Sequence, residues 1–338
     1  MNSIIMRKIT FLLAVLLTAI VNTSAQNSDD AFKAHGKPVV KVFADWHQGF
    51  GDSDFTDYSG FQLSRGVLGY EHFFSPNISA KVIVDMDDPG SGKLTEVAYM
   101  RNAYVAYNGD ELSAYFGIIG LKQFKEQENN WGYRYIYKSA MDHYKFNNSV
   151  DAGFYVKYNV LDWLNVDVTL TNGDGAKSQQ DVEGKYRTGY GFTLKPISGF
   201  TLRAYYDVLY APESTPGIVN ENQSALALFL GYQTDKMRIG AEYDKLLNYK
   251  YDAADDREIY SVYASYKFIR DFQAFVRYDI LNADVAGDSE EVFMAGVEYS
   301  VVKGVKVSPN FRYGNYAFSS SIPSGEGSFI FMNFEYKF

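Results

Sequence analysis

Cysteine is absent from the 338 residues, which excludes disulfide frameworks, thiolate metal sites and cysteine nucleophiles. A basic excess is also lacking. Thirty-two Lys and Arg stand against 41 Asp and Glu, a formal charge of −9, the wrong balance for a nucleic-acid partner. After the first 25 residues no stretch approaches 18 apolar residues, so no membrane-spanning helix is expected. Only four histidines occur, His35, His47, His72 and His143, and no pair has helical metal-ligand spacing. Neither a metal nor another cofactor is expected. No Ser-His or acid-His constellation can be assembled, so the sequence points away from an enzyme. Proline is scarce at 8 residues, which leaves room for long regular elements.

What is abundant is tyrosine (29), phenylalanine (25) and glycine (28), a composition that leans toward β structure. Residues 1–25 read as a signal peptide: Arg7 and Lys8, then the apolar stretch Ile9 to Val21, then Thr23 and Ala25 before a cleavage point. Residues 26–38 read as a periplasmic lead-in and 39–338 as the main domain.

From Val39 onward the pattern alternates with a period of two. Ile330, Met332, Phe334, Tyr336 and Phe338 fall on one side, with Asn333, Glu335 and Lys337 on the other. Such alternation marks a strand with one apolar and one polar face. Sixteen segments follow it: 39–49, 60–74, 78–87, 95–108, 112–120, 149–159, 164–172, 185–195, 200–211, 224–234, 237–248, 258–268, 271–282, 291–301, 304–315 and 327–338. Arg101 falls on the apolar side of its segment, so either a bulge lies there or the phase is wrong.

Short turns follow the even segments and longer polar connections follow the odd ones. A soluble sandwich would not explain that asymmetry. A sixteen-stranded antiparallel transmembrane β-barrel, an all-β fold, explains it, because such barrels have short periplasmic turns and long outer loops. Aromatic girdles are expected at both interfaces. The periplasmic girdle would hold Phe74, Tyr107, Tyr158, Phe192, Tyr232, Phe268, Tyr299 and Phe338. The outer one would hold Trp46, Tyr243, Tyr278 and Tyr313.

A sixteen-stranded barrel encloses an aqueous channel. The connection 121–148 is much longer than the rest and is rich in Trp and Tyr. It is expected to fold into the lumen as a constriction loop, with a cap outside the pore as the alternative. Its charged candidates are Lys122, Lys125, Arg134, Lys138, Lys145, Glu126 and Glu128. The inward phase of the strands supplies pore-lining candidates Lys41, Arg65, Lys81, Lys157, Arg187, Arg203, Arg238, Arg277 and Arg312. Inward acids include Asp45, Glu71, Asp85, Asp151, Asp167, Asp207, Glu242, Asp279, Glu298 and Glu335. The acid surplus falls in outer connections such as Asp252, Asp255 and Asp256. The local balance at the constriction therefore predicts mild anion preference.

With these residues in hand, the chain resembles the Gram-negative porins, and is most similar to the phosphate-selective porins O and P in a Bacteroidetes-type version. The resemblance rests on Ala25-Gln26, the stretch Phe61 to Tyr70, Phe116-Gly117 running to Lys122 and Phe124, Asp151 to Phe154, and the terminal Tyr336-Lys337-Phe338. It implies a passive channel of the bacterial outer membrane, a homotrimer, with a basic constriction. The expected partners are outer-membrane lipid, lipopolysaccharide and small anionic solutes. The alternatives are a structural or adhesive barrel plugged by the long loop, and an outer-membrane barrel enzyme.

Overall fold

The computed structural model describes residues 32–51, 53–87, 96–180, 185–212, 220–285, 287–317 and 322–338. The expected signal peptide and the first part of the lead-in lie outside them. Residues His35–Phe338 form one compact unit.

Sixteen strands build it: β1 (His35–Phe50), β2 (Ser59–Phe73), β3 (Ile78–Asp87), β4 (Val97–Asn108), β5 (Leu112–Gly120), β6 (Val150–Leu161), β7 (Leu164–Thr171), β8 (Arg187–Leu194), β9 (Phe200–Leu209), β10 (Gln223–Gln233), β11 (Met237–Leu247), β12 (Arg257–Ile269), β13 (Phe272–Ala283), β14 (Glu290–Val302), β15 (Val305–Tyr316) and β16 (Gly325–Lys337). Each pairs antiparallel with its sequence neighbours, and β1 closes on β16 through Val42↔Tyr336 and Asp45↔Asn333. Closure leaves no edge, so the backbone can cross lipid with its polar groups paired. Connections after even strands are two to five residues long, and those after odd strands run from six to twenty-nine. Helix α1 (Ser53–Thr56) lies in the first odd connection, and α2 (Lys125–Trp131) and α3 (Ala140–His143) lie in the longest.

Every strand end agrees with the sequence reading within two residues except one. Strand β1 begins at His35, where Gly36 and Lys37 pair with His72 and Glu71. Residues 35–38 therefore belong to the wall rather than to a lead-in.

The outer wall is apolar. Leu68, Val82, Val105, Leu230, Ile239, Val262, Phe311 and Ile330 are exposed on it, as a lipid-facing surface requires. Phe74, Tyr158, Phe192, Tyr232, Phe268, Tyr299 and Phe338 form an exposed girdle at the short-turn end. At the other end Tyr243, Tyr278 and Tyr313 donate hydrogen bonds to Glu258, Glu291 and Glu326 of adjacent strands.

Bulges re-aim the pattern where it breaks. On β4, Asn102 pairs with Ile83 and Met100 with Val84, so Arg101 is the extra residue. Its guanidinium turns inward to Asp85 at 3.1 Å. A similar shift on β2 leaves Leu63 opposite Ala44 and Arg65 opposite Phe43. Leu63 faces out and Arg65 faces in, although they are two residues apart. A bulge changes facing in this way by adding one unpaired residue.

Candidate functional site

The connection 121–148 packs inside the barrel. Helix α2 packs against β10 and β11, and α3 against β12. Trp131, Tyr133, Tyr144 and Phe146 are fully buried. Trp131 and Tyr133 share a cluster with a bed of inward aromatics of the wall, Phe43, Phe229, Tyr263, Phe275, Phe329 and Phe331, whereas Tyr144 and Phe146 pack in a second cluster with Tyr205, Leu246, Ile259 and Leu281. Trp131 stands edge-on to Tyr263 and Phe275, with ring centroids 5.1 and 5.8 Å away. Its Nε1 donates to the Tyr137 carbonyl at 3.0 Å, closing the loop on itself.

Four arginines from alternate strands fix the loop backbone. Arg203 (β9) donates to the Gln123 carbonyl at 3.5 Å and Arg238 (β11) to that of Trp131 at 3.4 Å. Arg277 (β13) donates to the Lys138 carbonyl and Arg312 (β15) to that of Ile136, both at 2.9 Å. Each odd strand of this sector thus contributes one guanidinium to one loop carbonyl. Arg187 reaches the loop indirectly, through Asp207 at 2.7 Å, which accepts from Asn147 at 2.5 Å. Gly132 makes the Arg238 contact possible: it ends α2 with φ 74°, and a Cβ there would lie 1.6 Å from Arg238 Nη1.

This changes the roles read from sequence. Arg187, Arg203, Arg238, Arg277 and Arg312 face inward as expected, but they are loop anchors rather than cations lining an open path. Arg203 and Arg277 are further tied to Asp167 and Asp279. Buried cations are held by such pairing. The inward aromatics of the bed went unread in the sequence. Their signal is an aromatic residue on the polar phase of a strand.

Further inward charges lie on strands β1 to β6, where the loop touches the wall through Lys122. Arg65 grips Asp85 through Nε at 3.0 Å and Nη2 at 2.5 Å, and Arg101 and Tyr99 share the same carboxylate. Lys81 pairs with Glu71 at 3.2 Å. Lys41 is exposed to the lumen, and Lys157 is half-buried. From the loop, Arg134 bonds Asp142 at 2.9 Å, and Lys125 bonds Glu128 at 2.5 Å. Arg65 and Arg101 lie within electrostatic reach of Arg134 and Asp142. Lys122 sits over the rings of Tyr115 and Tyr155, 5.2 and 5.6 Å from their centroids. Burial brings its ammonium down to about 8. Lys138 is exposed at the lumen side of the loop. Glu126 departs from the group and pairs with Lys195 at 2.9 Å. Lys145 lies at the far end of the loop, in a separate cavity.

On the inward faces of β1 to β4 and on the loop stand Lys41, Arg65, Lys81, Arg101, Lys122, Lys125, Arg134 and Lys138, with Glu71, Asp85, Glu128 and Asp142. In this set eight cations stand with four carboxylates, and Asp167 lies within electrostatic reach of Lys122 and Asp87 within reach of Lys138, in a chain whose overall charge is −9. Elsewhere in the lumen Asp45 and His47 form a buried pair at 2.8 Å, stacked on Tyr58.

No protein-family model and no curated protein sequence matches the chain. Solved structures do share its fold. OmpF of Salmonella typhi, solved with daunomycin, superposes with a TM-score of 0.67 at 15% identity, covering 90% of this chain and 97% of that one. OprB of Pseudomonas putida gives 0.68 at 11% identity, covering 90% and 94%. An anion-selective porin from Comamonas acidovorans gives 0.65 at 10% identity, covering 90% and 100%. The chain has the porin fold. With its apolar outer wall and closed ladder, it is a β-barrel suited to cross a lipid bilayer.

Proposed function

We propose that this barrel is a passive channel for small hydrophilic solutes, with a mild preference for anions, phosphate among them. The observation that carries the reading is the off-centre loop. Its helices pack on β10 to β12 and its backbone is held by arginines of β9 to β15, while basic side chains of β2 to β4 and of the loop face one another across the lumen. A narrow charged region dominates selectivity because every permeating ion must pass it. The similarity in fold to a porin named as anion-selective supports the same reading. Assembly as a homotrimer belongs to it as well, and a trimer form is recorded for the similarly folded OmpT of Vibrio cholerae.

The test is conductance of the refolded protein in planar bilayers under a KCl gradient. A steady open current with an anion-shifted reversal potential is expected. Joint replacement of Lys122, Lys125 and Arg134 by Gln should move that potential toward cations. A cation-shifted wild type would remove the anion preference and keep the channel. A folded barrel that carries no current would overturn the channel itself.

A further inference from the structure

All non-glycine residues with a left-handed backbone among the described residues gather at one place. They are Lys145, Asn248, Lys250 and Tyr251, with φ of 57°, 57°, 54° and 70°. Asn tolerates this conformation, whereas Lys and Tyr press Cβ against a carbonyl oxygen. Lys145 follows α3 at the end of the constriction loop, and the other three lie in the β11–β12 connection. Local hydrogen bonds hold that connection in place. The Lys250 amide donates to Gln223 Oε1 at 2.9 Å, the Asn248 amide to Asp256 Oδ1 at 3.0 Å, and the Tyr249 amide to the Asp255 carbonyl at 2.8 Å.

Between these two segments lies a cavity of about 370 Å³, lined by Lys145, Tyr249, Lys250, Asp255, Arg257 and Asp288 among others. Arg257 is buried in its lining. It binds Asp255 through Nε at 2.8 Å and Nη2 at 2.7 Å, and Asp288 through Nη2 at 2.6 Å. Its guanidinium lies 3.8 Å from the Tyr249 ring centroid. Both carboxylates of the cavity are thus engaged by one guanidinium. The lining itself holds three cations and two carboxylates, both lysines are exposed, and Asp252 and Asp256 of the same connection lie outside the lining. Arg257 shares the inward phase of β12 with Ile259 and Ser261, so the cavity belongs to the lumen side of the wall, away from lipid.

We propose that this cavity is an oxyanion-binding site at the outer mouth, which takes a small soluble carboxylate or phosphate compound above the constriction. The two lysines stand where glycine would be easier, and the surrounding hydrogen bonds keep them there. Backbone strain of this kind persists where the structure over-determines it, and it concentrates at ligand sites. The positions give the cavity its ammonium groups at the expense of backbone ease.

Calorimetric titration of the folded barrel in detergent, with citrate and with inorganic phosphate at low salt, tests this without any need for conductance. Its failure is therefore separate from a failure of the channel reading. Saturable binding of either probe is expected. The double variant Lys145→Gly, Lys250→Gly relieves the backbone and removes both ammonium groups. It should melt no lower than the wild type and bind at least tenfold more weakly. The double variant Lys145→Arg, Lys250→Arg should keep binding within about threefold. No saturable binding by the wild type, or equal binding by the glycine variant, would overturn the proposal. Displacement of bound citrate by lipopolysaccharide would reassign the site to lipid phosphate and overturn capture of a soluble compound.

Discussion

Replacing Trp131 with Ala should release the constriction loop while leaving the barrel folded. Trp131 is 1% exposed. It makes edge-to-face contacts with Tyr133, Tyr263 and Phe275, one hydrogen bond to the Tyr137 carbonyl, and a cation–π contact with Arg277 at 4.9 Å. Truncating a buried aromatic of this size costs about 3–5 kcal/mol, a range that already contains most of its ring contacts. A cost of about 4 kcal/mol is roughly a thousandfold change in an equilibrium, at about 1.4 kcal/mol per factor of ten. That cost falls on docking, because none of the sixteen strand ladders includes residue 131. Single-channel recordings should show larger and noisier currents, and polymer exclusion should report a wider opening. Protease should cut the variant within 121–148, and the cold gel shift of the folded barrel should persist. Unchanged conductance, unchanged cutoff and an uncut loop would refute the argument that the aromatic bed holds the loop. Loss of the folded barrel would refute the assignment of the cost to docking alone.

Three other outcomes are expected. Asp85→Asn removes the carboxylate shared by Arg65 and Arg101, so anion preference should rise. A unit charge about 7 Å from a passing ion in a wet lumen contributes about 0.6 kcal/mol, roughly halved by 0.1 M salt, with opposite sign for cation and anion. The permeability ratio read from zero-current potentials should therefore change about threefold, and a shift toward cations would contradict the site. Selectivity should respond to pH mainly on the alkaline side. Burial opposes ionisation of Glu128 and Asp142, but Lys125 and Arg134 beside Glu128, and Arg134 and Lys138 beside Asp142, outweigh it and hold both below the ordinary carboxylate range. Such depressed groups stay ionised from neutrality down past the ordinary carboxylate values of about 4. Their ion pairs are lost only as pH falls through the lower folded values. Lys122, lowered to about 8 by burial, loses its charge above that pH, so anion preference should decline between roughly pH 7 and 9 and stay level between roughly pH 5 and 7. A reversal potential that is flat up to pH 9 would remove Lys122 from the constriction. Finally, Gly117 has φ 125°, and a Cβ there would lie 2.2 Å from the Ala103 carbonyl oxygen. Gly117→Ala should destabilise the barrel by about 1–3 kcal/mol, seen as a lower melting temperature in detergent. An unchanged melting point would show that the β4–β5 pairing tolerates a side chain there.

Much of this molecule is local in origin. A side-chain period of two reports which face of a strand meets lipid, and it does so one segment at a time. The segments around Val276, Phe311 and Ile330 were therefore legible without any contact map. The length of each connection told the two ends apart in the same way. The irregularity at Arg101 was visible as a charge on the lipid phase, but the choice between a bulge and a wrong phase needed the β3–β4 register. Alternation distinguishes inside from outside, but it does not distinguish one sector of the circumference from another. Arg65 and Arg277 read alike in sequence, both basic and both inward. Only the position of the loop makes one a charge that faces it across the lumen and the other a buried anchor for the Lys138 carbonyl. Phe275 sits on the polar phase of its strand because Trp131 and Tyr133 of the loop cover it, and Phe329 does so because Phe55 and Tyr58 of the first connection cover it. The sequence by itself determined the strand count, the facing of most residues and the two ends of the barrel, since each depends on neighbours along the chain. The tertiary structure alone decided which inward charges anchor the loop, because that depends on where residues 121–148 lie against strands more than a hundred residues further along.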